Sequence, residues 1–128
     1  MYIWIMKTRT KLIKELDAVF SKYIRYSKSV NGMCTCFTCD RVYEVKKIQC
    51  GHFMSRKNYS TRWEENNVAP QCYGCNVMQA GKQFEFGLRL GKELSEQMYL
   101  KSKETVKFAD FELQEKIDYY KKELKKFL

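Results

Sequence analysis

Two Cys-x-x-Cys pairs constrain this chain more than any other feature. Cys36-Phe37-Thr38-Cys39 opens a stretch that Cys72-Tyr73-Gly74-Cys75-Asn76 closes. A two-residue spacing turns both sulfurs toward one side of an ion. Tetrahedral zinc takes two such pairs at about 2.3 Å per bond. Closing both knuckles forces residues 36–76 into a compact loop. The only histidine, His52, lies inside that loop, and Asn76 directly follows its last cysteine. The two are thereby brought toward each other.

Six cysteines in 128 residues also fit a secreted, disulfide-bonded chain. Against that reading, Met1–Met6 is apolar but too short for a signal peptide, and its basic residues follow the apolar run. Nothing approaches the length of a membrane span. Clustered Cys-x-x-Cys pairs then read as metal ligands, with zinc as a structural cofactor and a cytoplasmic location. Cys34 and Cys50 are left over. Cys34 is an alternative ligand to Cys36, although the two-residue spacing is preferred. Cys50 is expected to act as a small apolar core residue.

The charge is placed unevenly. Residues 1–33 carry seven Lys/Arg against two Asp/Glu, and residues 34–92 nine against five. Residues 93–128 balance at eight against eight. A basic first two-thirds suits a polyanion, most simply DNA, although a solvated basic surface has the same composition.

The length, nineteen aromatic residues and a single proline predict one folded α+β domain with long regular segments. From Thr10 to Tyr26, Leu12, Ile13, Leu16, Val19, Phe20, Tyr23 and Ile24 recur at helical spacing. The opposite face carries Lys11, Lys14, Lys22 and Arg25, either solvated or set against phosphates. Val42–Val45 and Ile48–Cys50 read as two hairpin strands about Lys46-Lys47. A long polar loop, 54–67, follows, with a capping-box spacing at Thr61 and Glu64 and Trp63 as its core anchor. A short helix is expected from Cys75 to Ala80, stopped near Gly81. Helices are expected again over Leu94–Glu104 and from Asp110, a good N-cap, to the end. The divisions are a basic helical arm (1–33), a zinc-bound module (34–92) and a C-terminal helical extension (93–128).

His52, Asn67 and Asn76 make a chemically legible set. Near neutral pH an imidazole takes a proton from water. Asn67 can order the loop or fix the ring. An amide carbonyl at Asn76 suits a hard cation such as Mg²⁺ or Mn²⁺. Arg56, Lys57 and Arg62, with Lys22 and Arg25, are the candidate phosphate contacts. Asn76 and Asn67 are also ordinary capping and turn residues, and the basic side chains are ordinary loop charges.

The order Cys-x-x-Cys, His, Asn-x-x-x-x-Cys-x-x-Cys-Asn resembles the HNH, or ββα-metal, endonucleases. Within them, Phe20–Arg25, Gly51–Arg56, Arg62–Val68 and Gln71–Asn76 look like the phage NinG (Rap) recombination proteins. The resemblance implies a zinc-stapled ββα-metal module flanked by helices. Its implied activity is a structure-directed endonuclease acting on branched DNA, such as Holliday junctions or D-loops, in a phage-infected or prophage-bearing host. It makes His52 the general base, Asn76 the ligand of the catalytic divalent ion and Asn67 the loop-ordering residue. Cys36, Cys39, Cys72 and Cys75 become the zinc ligands. Many HNH enzymes place an Asp just before the histidine, where this chain has Gly51. Asp40, Glu64, Glu65 and Glu85 are the candidates to replace that oxygen, with water and DNA phosphates as the alternative. Cutting a four-way junction symmetrically needs two active sites, which makes a homodimer attractive. The rival reading is a non-catalytic zinc-ribbon DNA-binding or adaptor protein. A weaker one is a redox or metal-storage role for the cysteines.

Overall fold

The computed structural model describes residues 7–128, so the apolar stretch Met1–Met6 lies outside the described residues. The fold is mixed α+β. Helix α1 (Arg9–Ser27) starts at Thr8, whose hydroxyl accepts from the Lys11 N–H at 3.2 Å. Leu12, Leu16, Phe20 and Ile24, four residues apart, form its buried stripe. At the other end of the chain, helix α5 (Asp110–Leu124) presents Leu113, Ile117, Tyr120 and Leu124 at the same kind of spacing. The two stripes face each other, joined by Trp63 and Val68 from the middle of the sequence. The Phe20 and Tyr120 rings meet edge to face at 4.9 Å. Residues from all three expected divisions therefore fill one core. Asp110 is not the cap of α5. Ala109 holds that place, and the Glu112 carboxylate accepts the Ala109 N–H at 2.9 Å.

Between these helices lie two separate two-stranded antiparallel sheets. Strand β1 (Met33–Thr35) pairs with β2 (Val42–Glu44), and β3 (Gln49–His52) pairs with β4 (Val68–Gln71). The two expected hairpin strands are thus real but are not each other's partners. The Cys36–Cys39 loop folds the chain back early, with Asp40 N–H on the Cys36 carbonyl (3.0 Å), and delivers β2 to β1. The chain still turns at Lys46-Lys47, but Ile48 is drawn into the thiol cluster and β3 finds β4 instead. In that register His52 sits opposite Val68 and Gln49 opposite Gln71.

The polar loop holds one short helix, α2 (Tyr59–Arg62), and a 3₁₀ turn at Glu65–Asn67. After β4 comes a π-helical turn, Gly74–Met78, in place of an α-helix, and it stops before Gly81 at φ +85°. Helices α3 (Gln83–Leu90) and α4 (Lys92–Ser102) follow, with Gly91 between them at φ +91°. The alternating Phe84, Phe86, Leu88 and Leu90 are helical, and Phe86 is the one buried against Phe37 and Phe53.

Candidate metal centre and active-site cleft

The sulfurs of Cys36, Cys39, Cys72 and Cys75 all lie within 4.8 Å of one another. A tetrahedron with zinc–sulfur bonds of about 2.3 Å has edges of about 3.8 Å. The Cys39 and Cys72 sulfurs are 3.8 Å apart. The set fits a tetrathiolate metal site such as zinc. Backbone N–H groups already serve the sulfurs: Cys72 N–H donates to Cys36 Sγ and Cys75 N–H to Cys72 Sγ, each at 3.4 Å. Burial works against ionising Cys36. The Cys72, Thr38 and Cys39 donors outweigh it and bring that thiol down to about 6. Burial and the neighbouring sulfurs push Cys39 up to about 12. Four sulfurs this close cannot all ionise without a cation among them.

Behind the cluster is a polar chain that sequence reasoning missed. Gln71 Nε2 donates to Thr38 Oγ1 at 3.0 Å, which directs the Thr38 hydroxyl toward Cys36 Sγ, 3.6 Å away. Cys34 stands outside the cluster, with its thiol on the Arg25 carbonyl at 3.7 Å, so the two-residue spacing holds. Cys50 packs against the helical core, and burial raises its thiol to about 12.

His52 and Asn76 line one cleft of about 350 Å³. Asp17, Phe20, Ser21 and Arg25 from α1 form one side, and Ile48, Gln49 and Arg56 contribute to the rest. His52 Nε2 lies 2.9 Å from the Arg62 carbonyl. A carbonyl only accepts, so Nε2 carries the proton and Nδ1 keeps its lone pair. Burial lowers the pKa of the ring below its ordinary value, and the Arg62 hydrogen bond only partly opposes this. The imidazole is neutral at neutral pH. Asn76 donates its amide nitrogen to Gln49 Oε1 at 2.7 Å, which leaves its carbonyl oxygen for another ligand.

Asn67 is fully buried and does not line this cleft. Its carbonyl accepts from Met54 N–H at 2.8 Å, and its amide donates to the Met54 and Thr61 carbonyls at 3.1 and 3.0 Å. It closes the loop from Met54 to Thr61 from the inside.

The basic candidates divide. Arg25 and Arg56 line the cleft. Lys57 is exposed on the loop, and Lys22 lies 5.5 Å from the Tyr26 ring centre. The Arg62 guanidinium is mostly buried, bound to Asp17 and to the Arg56 carbonyl. It faces inward rather than toward a passing phosphate.

None of the four acids weighed as a substitute at Gly51 lines this cleft. Asp40 is paired with Arg89, Glu64 with Lys101, and Glu65 accepts from Tyr120; Glu85 is exposed. Gly51 itself has no room for a side chain, since a Cβ there would lie 1.8 Å from Gln71 Oε1. The carboxylate that does reach the cleft is Asp17, which the sequence signalled only as one of two acids in residues 1–33.

Among the described residues no helix is long and apolar enough to cross a membrane. No curated protein and no solved structure matches the chain. One family model does, described as bacteriophage Lambda NinG protein, and it spans residues 4–127. With nearly the whole chain covered, this protein belongs to the NinG family.

Proposed function

We propose that the protein is a zinc-stabilised, divalent-metal-dependent DNA endonuclease of the ββα-metal class, acting on branched recombination intermediates. The observation that carries this reading is the shared cleft. A neutral histidine whose Nδ1 and an asparagine whose carbonyl oxygen have no partner among the described residues line the same walls. The chain order supports the class. Histidine ends the first strand of a β3–β4 pair, and asparagine sits on the helical turn that follows. Membership of a phage recombination family supports the substrate.

In this reading His52 Nδ1 takes a proton from water, the resulting hydroxide attacks phosphorus, and the P–O3′ bond breaks. The leaving 3′ oxygen is protonated from solvent. Asn76 would hold a hard cation through its carbonyl oxygen. Such an ion supplies the positive charge that the phosphate and leaving oxygen need. Asn67 orders the loop that carries Arg56, and Arg25 and Arg56 flank the path of the backbone.

A cleavage assay on duplex, flap, D-loop and four-way substrates, with and without Mg²⁺ or Mn²⁺, tests the proposal. Metal-dependent cutting that favours branched substrates is expected. One observation favours the adaptor reading instead: Gly51 is blocked by Gln71, and among the described cleft residues the one carboxylate, Asp17, is paired with Arg56 and Arg62. Salt-sensitive DNA binding without cutting in either metal would establish that alternative.

A further inference from the structure

Asp17 has no place in the mechanism above, although it is a half-buried carboxylate on the wall of the cleft. Its partners explain what it does. Oδ1 accepts from Arg62 Nε at 3.1 Å and from Trp63 Nε1 at 2.9 Å. Oδ2 accepts from an Arg62 terminal nitrogen at 2.5 Å and from an Arg56 terminal nitrogen at 2.7 Å. A carboxylate offers about four lone-pair directions, and four donors take them. Asp17 therefore has no oxygen left for a cation, and it does not replace the acid absent at Gly51.

The four donors belong to three residues of one loop, and that loop supplies the group that orients His52. The Arg62 side chain is held by Asp17 and by the Arg56 carbonyl at 3.0 Å, and it lies 5.5 and 5.4 Å from the centres of the Tyr59 and Trp63 rings, which pack on each other. The Arg62 main-chain carbonyl receives His52 Nε2–H. One residue earlier, the Thr61 carbonyl is held by Asn67. The end of α2 is thus tied at three consecutive positions, with Asp17 holding two of them, Arg62 and Trp63.

We infer that Asp17 is a positioning residue for His52: through Arg62 and Trp63 it sets the carbonyl that fixes which imidazole nitrogen carries the proton. A link from α1 to the histidine follows, running carboxylate, guanidinium, main-chain carbonyl, ring. Arg62 acts in this link through two ends, its side chain facing Asp17 and its carbonyl facing His52. The inference rests on the nuclease reading only for its consequence in catalysis, since the tautomer is a property of the protein alone.

The chain has a single histidine, so a long-range ¹H–¹⁵N spectrum of the imidazole shows His52 without assignment. The zinc-loaded full chain is compared with Asp17→Ala and Asp17→Asn. Wild type is expected to show one tautomer, protonated at Nε2. Asp17→Ala is expected to show a mixture of Nε2-H and Nδ1-H forms, with one zinc per chain retained. On the best cleaved substrate kcat should fall about 10- to 100-fold, within the range of a displaced general base, with KM unchanged. Lys121→Ala breaks an ion pair from α5 to Glu15, which lies on α1 as Asp17 does, and should leave the tautomer as in wild type. Should Asp17→Ala fail to fold, Asp17→Asn keeps the shape and one accepting oxygen and is read the same way. An unmixed Nε2-H tautomer in a folded Asp17 variant overturns the inference. Absence of cutting by wild type, with the tautomer mixed in the variant, would sink the nuclease reading and leave the positioning role standing.

Discussion

The two halves of this molecule are held together by different physics. Around α1 and α5, nine buried side chains from Leu12 to Tyr120 make an ordinary hydrophobic core. Around the knuckles the buried cluster is Cys34, Cys36, Ile48, Cys72 and Cys75, four of its five members being cysteines. One region is held by buried apolar side chains and is expected to outlast the other. The other has strands of three residues and a core of sulfur, and we expect its stability to rest on the metal that its four clustered cysteines could hold. The β3–β4 ribbon joins them: Val68 and Cys50 pack toward the helices, while Ile48 and Cys72, the residues next to its paired Gln49–Gln71 end, pack in the thiol cluster. The cleft with His52 and Asn76 opens along this seam. Its α1 side belongs to the first region and its Asn76 side to the second.

If that contrast is right, the largest effect comes from the metal. Chelation, or Cys75→Ser, should cost the knuckle region on the order of 10 kcal/mol. Amide exchange should show protection lost over residues 33–50 and 70–82 while α1 and α5 stay protected. Uniform loss across the chain would erase the distinction between the regions.

The reciprocal experiment is smaller. Leu16→Ala, at a fully buried position, should cost about 2–5 kcal/mol. Global stability, read by denaturant unfolding, should fall while zinc stoichiometry stays at one per chain. Lost zinc in the folded variant would mean that the helical core organises the knuckles.

A third change strikes the seam. Gly51→Ala places a Cβ against Gln71 Oε1, and Gln71 is held by Thr38 and by the Gly81 carbonyl at 2.9 Å. It should cost about 1–3 kcal/mol in thermal or denaturant unfolding. Restoring an acid with Gly51→Asp should be worse still and should not raise activity. A stable, more active Gly51→Asp would show that the space can be vacated.

The smallest effect is electrostatic. Burial holds the His52 pKa below its ordinary value, with Arg56 and Arg62 lowering it and Asp17 raising it as the facing charges. The stability this group contributes is complete above 6.5 and is lost as pH falls through the lowered folded value. The NMR titration midpoint of His52 should therefore lie below 6.5. A midpoint above 6.5 would mean that the Asp17 charge, rather than burial, governs the ring.

Residue patterns foretold one region better than the other. The α1 stripe and the Cys-x-x-Cys spacing were legible because each is a short-range repeat with one physical solution. Strand pairing was not, since Val42–Glu44 and Gln49–His52 are too short to encode a partner, and the sulfur cluster decides it. Asp17 was hidden for a related reason. Its four donors lie 39 to 46 residues away, and no local pattern announces them. The blocked space at Gly51 depends on a cross-strand neighbour, Gln71, which only the β3–β4 register reveals.

His52 is the residue on which cleavage depends most directly in the proposed mechanism. The direct measurement is the single-turnover cleavage rate of His52→Ala on a four-way junction in Mg²⁺, beside its zinc content and junction affinity. We predict a rate at least about 100-fold below wild type, with zinc and affinity unchanged. Cutting at the wild-type rate by that variant would contradict the assignment of the active site.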